Sequence, residues 1–155
     1  EKLARLVMYT ETVRACRKMA ALEAIPSPSG IMVPNPVYTN AGKFYFASNY
    51  HEVAKLVQDI AGGLAITAPS EADLESPDIG PYLDKYLAGR KGASGRERVR
   101  LMSLIRDYTA SDFGGYNYVV TLHGEGSMAA QLIVTLRDYD VERCVRLAKE
   151  AMGVA

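Results

Sequence analysis

The stretch LHGEGSMAAQ, residues 122–131, concentrates the chemistry of this chain. An acid, Glu125, stands between Gly124 and Gly126, with His123 just before it and a helix-forming run after Ser127. A carboxylate between two glycines has little side-chain cover of its own, so it is either fully solvated or enclosed by something arriving from outside. Enclosure disfavours the charged form of a carboxylate and makes it a usable base near neutral pH. His123 likewise has two readings, a polar side chain capping the last carbonyls of a helix or a neighbour of whatever Glu125 meets.

A second stretch, QDIAGG at 58–63, ends a helix in small residues. Glycine tolerates the left-handed conformation that closes helices, so a plain C-cap explains it. Equally, Ala61, Gly62 and Gly63 expose bare backbone N–H groups to an anionic or flat ligand, because nothing projects to keep it away. His51 lies among charged residues on the same helix and reads as solvated or helix-packing. No Cys/His cluster has metal-ligand spacing, and neither a phosphate loop nor a Gly-x-Ser-x-Gly elbow occurs.

The elements that carry these residues read as helices. From Lys2 to Leu22, Leu3, Leu6, Val7, Val13, Cys16, Met19 and Ala20 recur at three- and four-residue steps, with Arg and Lys opposite. Pro26, Pro28, Gly30, Pro34 and Pro36 predict an irregular, partly extended loop. A second helix is expected from about Thr39 to Ala61, stopped by Gly62-Gly63. Ser70 heads another short segment, and Ser76-Pro77 a short helix holding Tyr82, Leu83, Tyr86 and Leu87. Ser94 with Glu97 is a capping-box start. The helix after it is expected to run through Phe113 to about Leu122, with Gly114-Gly115 kinking it or admitting another backbone. Met128–Leu136 is apolar enough to be buried, and Asp140 caps a last amphipathic helix. Five or so helices with no convincing strand pattern predict an all-α helical bundle, which by itself names no function.

Composition narrows the classes further. At 155 residues the chain can bury one real core. Lys+Arg and Asp+Glu are both 18, so there is no basic face for nucleic acid and no acidic tail. Cys16 and Cys144 fall on apolar helix faces and predict buried free thiols in a reducing compartment. No apolar run approaches the roughly 20 residues of a membrane span, and no signal peptide is present, so the expected compartment is cytoplasmic. The chain opens at Glu1, without an initiator Met and already inside a helical pattern. It therefore reads as trimmed or as part of a longer protein.

Three segments carry a resemblance: YHEVAKLVQDIAGGLAITAPSEADL (50–74), ERVRLMSLIRD (97–107) and HGEGSMAAQ (123–131). Together they resemble the C-terminal region of the 4-hydroxyphenylacetate 3-hydroxylase / 4-hydroxybutyryl-CoA dehydratase (vinylacetyl-CoA isomerase) flavoprotein family, over essentially the whole chain. The DIAGG…PSEAD block is the most specific and points to the dehydratase/isomerase branch. The resemblance implies that residues 1–155 are the C-terminal helical domain of an acyl-CoA-dehydrogenase-like enzyme. The N-terminal helical and middle β domains would lie outside this chain, in the same or a separate polypeptide. It further implies FAD between domains and at a subunit contact of a homotetramer.

Residue by residue, the resemblance brings the backbone of Ile60, Ala61, Gly62 and Gly63 to a flavin, that of a neighbouring subunit. It sets His123, Gly124, Glu125, Gly126 and Ser127 near the flavin ring. The 4Fe-4S cluster of the family's dehydratases would take its three cysteines and one histidine from outside this chain, and Cys16 and Cys144 do not match them. The dehydratase pattern has a small residue where Glu125 stands and a carboxylate where this chain has Val120. The Glu-Gly at 125–126 instead looks like that of acyl-CoA dehydrogenases, whose glutamate takes the α-proton.

The first expectation is therefore an FAD-dependent enzyme acting on an acyl-CoA thioester, a dehydratase, Δ-isomerase or dehydrogenase, with Glu125 as base and His123 beside it. An FADH2-dependent aromatic hydroxylase of the same family is the alternative. So is a non-catalytic helical oligomerisation module, which gel filtration and flavin absorbance of the isolated piece would reveal.

Overall fold

A computed structural model describes residues 1–154, with Lys91 described by its backbone alone. The fold is all-α apart from one small ribbon. Helix α1 spans Lys2–Leu22, as its periodicity predicts. The proline-rich loop then forms an antiparallel ribbon, β1 (Ile25–Pro26) with β2 (Met32–Val33), in the register Ile25↔Val33 and Pro26↔Met32. Two-residue strands leave no alternation to detect, which is why the sequence predicts no strand.

Helix α2 spans Pro36–Ala61, starting three residues before the expected Thr39. The reason is local. Asn35 Oδ1 accepts from the N–H groups of Val37 (2.9 Å) and Tyr38 (3.4 Å), and Pro36 follows it, where a missing N–H costs nothing.

The chain packs as two compact units, one of Glu1, residues 3–50 and the segment from Leu122 on, the other of Lys2 and His51–Thr121. In the second unit, α3 (Leu64–Thr67), α4 (Glu71–Glu75) and α5 (Gly80–Tyr86) precede a 3-10 turn at Arg90–Gly92 and α6 (Gly95–Thr109). Helices α3 and α5 pack on α6, and α4 on α5. Leu56, Ala65, Leu74, Val99 and Met102 are buried here. Ser94 and Glu97 close the predicted capping box: Ser94 N–H donates to Glu97 Oε2 (2.9 Å) and Glu97 N–H to Ser94 Oγ (3.2 Å). Ser70 and Asp73 form a second one.

The long helix expected through Phe113 is two helices. Helix α6 stops at Thr109, and α7 (Asp112–Gly124) restarts on Ser111, whose Oγ accepts from Gly114 N–H at 3.1 Å. A polar cap makes the break, three residues ahead of the glycine pair, with no glycine or proline to announce it. Gly114 instead serves close approach: a Cβ there would stand 2.8 Å from the Asp107 carbonyl oxygen.

The first unit holds α1, the ribbon, the N-terminal part of α2, α8 (Met128–Asp138) and α9 (Val141–Met152). Asp140 Oδ1 caps α9 by accepting from Arg143 N–H at 2.8 Å, and Gly153 ends it in the left-handed conformation. Two expectations fail in this unit. The Met128–Leu136 run is not buried: Ile133 and Leu136 are each 68% exposed, and the residue that α8 buries is Gln131. The chain itself offers too little opposing apolar surface to cover that face. Nor are the thiols buried. Both are free, Cys16 half-buried and Cys144 exposed on α9, its Sγ 3.8 Å from Tyr139 Oη.

Candidate functional site

Residues 124–127 form a tight turn between α7 and α8. Gly126 takes φ +81°, which only glycine adopts freely, and its N–H donates to the His123 carbonyl at 3.0 Å. Ser127 Oγ then caps α8 by accepting from Ala130 N–H at 3.3 Å. The turn presents Glu125 half-buried, while His123, Gly124, Gly126 and Ser127 are exposed. A Cβ at Gly124 or Gly126 would meet nothing within 4 Å, so the backbone beside Glu125 is open to a flat group.

Glu125 lines a cavity of about 480 Å³ within the first unit, walled mainly by apolar surface from Val13, Ala20, Pro34, Tyr38 and Phe46. Arg17 and Lys43 are the cations in its wall. Its size and lining suit a small organic ligand oriented by a few polar groups. Glu125 thus stands between an apolar cavity wall and open glycine backbone.

Tyr9 belongs to the same neighbourhood. Its ring stacks on Tyr45 (5.9 Å between centres), and its hydroxyl donates to the Phe46 carbonyl at 3.2 Å. Burial above all, then the neighbouring Tyr50, Tyr45 and Glu125, push its hydroxyl up to about 12, so Tyr9 stays neutral across the physiological range.

The other predicted group, Ile60–Gly63, lies in the second unit. Gly62 closes α2 with φ +65°, and its N–H donates to the Gln58 carbonyl at 2.8 Å, so the C-cap reading describes its backbone. The same backbone is open, because a Cβ at Gly62 or Gly63 would meet nothing within 4 Å. Ile60 is exposed and Ala61 half-buried. Close by, Gln58 Nε2 donates to the Thr109 carbonyl at 2.7 Å, and His51 stacks on Tyr118 with ring centres 5.3 Å apart. That is the helix-packing role expected of His51. The two predicted groups therefore belong to different units.

Sequence reasoning did not find Tyr9, Arg17, Lys43 or Gln131. For Gln131 a signal existed, a lone amide inside an apolar run. The others give none: only packing brings Arg17 and Lys43 to one cavity and Tyr9 near Glu125. Among the described residues no group of three His, Cys, Asp or Glu converges as a metal site would require. No helix of the described residues is long and apolar enough to cross a membrane.

Comparison with known proteins places this chain in a family. A Streptomyces globisporus monooxygenase acting on a (3S)-3-amino-3-(3-chloro-4-hydroxyphenyl)propanoyl group on a peptidyl-carrier protein is 41% identical over 97 residues. That match covers 62% of this chain and 18% of the relative. An oxygen-tolerant archaeal 4-hydroxybutyryl-CoA dehydratase from N. maritimus superposes with a TM-score of 0.79 at 34% identity, over 99% of this chain and 31% of that one. The oxygenase component of 4-hydroxyphenylacetate 3-monooxygenase, complexed with FAD and 4-hydroxyphenylacetate, superposes with a TM-score of 0.82 at 28% identity, over 99% and 33%. The chain thus spans a third or less of the length of these relatives. The family model for the 4-hydroxyphenylacetate 3-hydroxylase C-terminal domain matches residues 1–153, and the chain belongs to that family.

Proposed function

We propose that this chain is the C-terminal helical domain of an FAD-dependent enzyme acting on an acyl-CoA thioester, in which Glu125 removes the proton α to the thioester carbonyl. The observation that carries the reading is the position of Glu125, half-buried on the wall of an apolar cavity in a turn whose glycine backbone is open. The α-proton of a thioester is weakly acidic, so its removal needs an oriented base and cover from bulk water. Glu125 supplies the base, and Val13, Pro34 and Phe46 give the cavity beside it an apolar wall.

The residues fit a flavin on the same ground. A Cβ at Gly62, Gly63, Gly124 or Gly126 would fill space that is open here, as close approach of a planar ring requires. Gly124, Gly126 and Ser127 would hold one flavin beside Glu125, with His123 as a polar neighbour. In the second unit, Ile60–Gly63 present backbone to a flavin carried by another subunit of a homo-oligomer, a tetramer in this reading. FAD, when bound, would supply an acceptor for the β-hydride and apolar cover for Glu125. The N-terminal and middle domains complete the enzyme, in the same or a separate chain. The exposed apolar residues of α1 and α8 (Leu3, Val7, Met8, Leu132, Ile133 and Leu136) support a fold that docks on further protein. The 34% identity to the archaeal dehydratase, against 28% to the oxygenase component over the same share of the chain, supports the acyl-CoA branch.

The 41% identity to the carrier-protein monooxygenase favours a second reading, a two-component FADH2-dependent aromatic hydroxylase. It needs no strong base in this domain. Glu125→Gln in the complete enzyme separates the two. Loss of turnover of a CoA thioester with flavin retained supports the first, and unimpaired hydroxylation of a phenol supports the second.

A further inference from the structure

Gln131 is the anomaly of the first unit. Helix α8 leaves Leu132, Ile133 and Leu136 in the open and buries an amide that is only 3% exposed. That amide donates from Nε2 to the main-chain carbonyl of Glu125 at 2.8 Å, while its Oε1 is buried without a hydrogen-bond partner. The orientation is forced, because a carbonyl oxygen only accepts and the nitrogen end must face it. A buried acceptor without a partner costs free energy that an apolar side chain of the same length would not incur. The compensating gain is the bond to Glu125.

What that bond does follows from the backbone around it. Glycines on both sides leave the peptide units flanking Glu125 almost without steric restraint. The turn is closed on one side by Gly126 N–H donating to the His123 carbonyl, and α8 is fixed behind it by Gln131 N–H donating to the Ser127 carbonyl at 3.0 Å. Between these, the Gln131 side chain grips the Glu125 carbonyl itself and so fixes the direction in which the carboxylate leaves the chain.

We propose that Gln131 is the positioning residue of the site: by holding the Glu125 carbonyl it aims the carboxylate at the substrate's α-carbon. This rests on Glu125 being the base. Small displacements of a reacting group lower rates by on the order of 10²-fold without abolishing binding, and that is the signature to seek.

The test uses the complete flavin-loaded enzyme and follows exchange of the α-protons of butyryl-CoA with deuterium oxide. Gln131→Met keeps the length of the side chain, drops the donor and removes the orphaned oxygen. It should retain thermal stability, flavin content and KM, while the maximal exchange rate falls on the order of 10²-fold. Gln131→Glu can donate to the carbonyl only when protonated, so its exchange should recover as the pH is lowered, giving a profile displaced to acid from the parent's. Glu125→Gln is the control. If it abolishes exchange while Gln131→Met exchanges at the parental rate, the positioning role falls and the base stands. If Glu125→Gln itself exchanges normally, the base reading falls and takes this one with it. Should Gln131→Met lose stability and flavin together with exchange, the amide is structural and the proposal is overturned. Should that variant not fold, Gln131→Glu decides, and a pH profile like the parent's overturns it.

Discussion

Gly42 on α2 faces Cys16 on α1 so closely that a Cβ added to the glycine would stand 2.8 Å from the cysteine's own Cβ. The two helices meet there with no room for a methyl group, and Gly42 also lines the cavity that holds Glu125. Gly42→Ala should therefore force the helices apart and destabilise the fold by about 1–3 kcal/mol, the usual range for overpacking. Thermal or denaturant unfolding of the variant would measure it, and an unchanged midpoint would show that the contact yields freely.

Gly63 and Gly124 are the converse case, since added Cβ atoms would meet nothing there. Gly63 has φ −59°, which any residue adopts, so Gly63→Ala should fold as well as the parent or gain about 0.4–1 kcal/mol. If these positions admit flavin, Gly63→Ala and Gly124→Ala should weaken its binding about tenfold, equivalent to about 1.4 kcal/mol. Flavin titration of the complete enzyme by fluorescence quenching reads this. Parental affinity in both variants would remove the glycine turns from the flavin site.

Tyr9 gives a pH dependence with a definite sign. Its hydroxyl is raised from 10.0 to about 12, first by burial and then by its charged-when-ionised neighbours Tyr50, Tyr45 and Glu125. A group raised in the folded state contributes stability that is complete below its unfolded value and is lost as pH climbs toward the folded one. Stability should thus decline between about pH 10 and 12, and Tyr9→Phe should flatten that part of the curve. Unfolding midpoints of parent and variant across this window test it, and parallel curves would exclude Tyr9 as the source.

The capping box of α6 predicts a response at the acid end. Hydrogen bonds from Ser94, through its N–H and its hydroxyl, hold the Glu97 carboxyl below its ordinary 4.5. The contribution is present above that value and disappears as pH falls through the lowered one. Ser94→Ala should cost about 1 kcal/mol at neutral pH. Its difference from the parent should shrink in acid, as unfolding of the two proteins at neutral and acid pH would show.

Local signals were enough for α1, for the Ser94–Glu97 box and for the Asp140 cap, because each is written within a few consecutive residues. The start of α2 was obscured because Pro36, a breaker inside a helix, is acceptable at its first position. The break at 110–111 was obscured because Ser111 is an ordinary residue until its hydroxyl meets the Gly114 N–H. Periodicity assigned Met128–Leu136 to the interior on hydrophobicity alone, and the fold exposes that face because little in the chain opposes it. In the candidate site, Glu125 stood out through its flanking glycines. The cavity beside it did not, since Val13, Pro34 and Phe46 come from α1, the ribbon's exit and α2, and only packing unites them.

The uneven interior has a kinetic outcome. Leu56, Ala65, Leu74, Val99 and Met102 give the second unit its own hydrophobic centre, whereas α9 buries none of its residues. Amides are released to solvent by local opening wherever few apolar contacts oppose it. In deuterium the α9 amides should therefore exchange early and those around Val99 late, and a protease should nick near Asp140 while α6 is still intact.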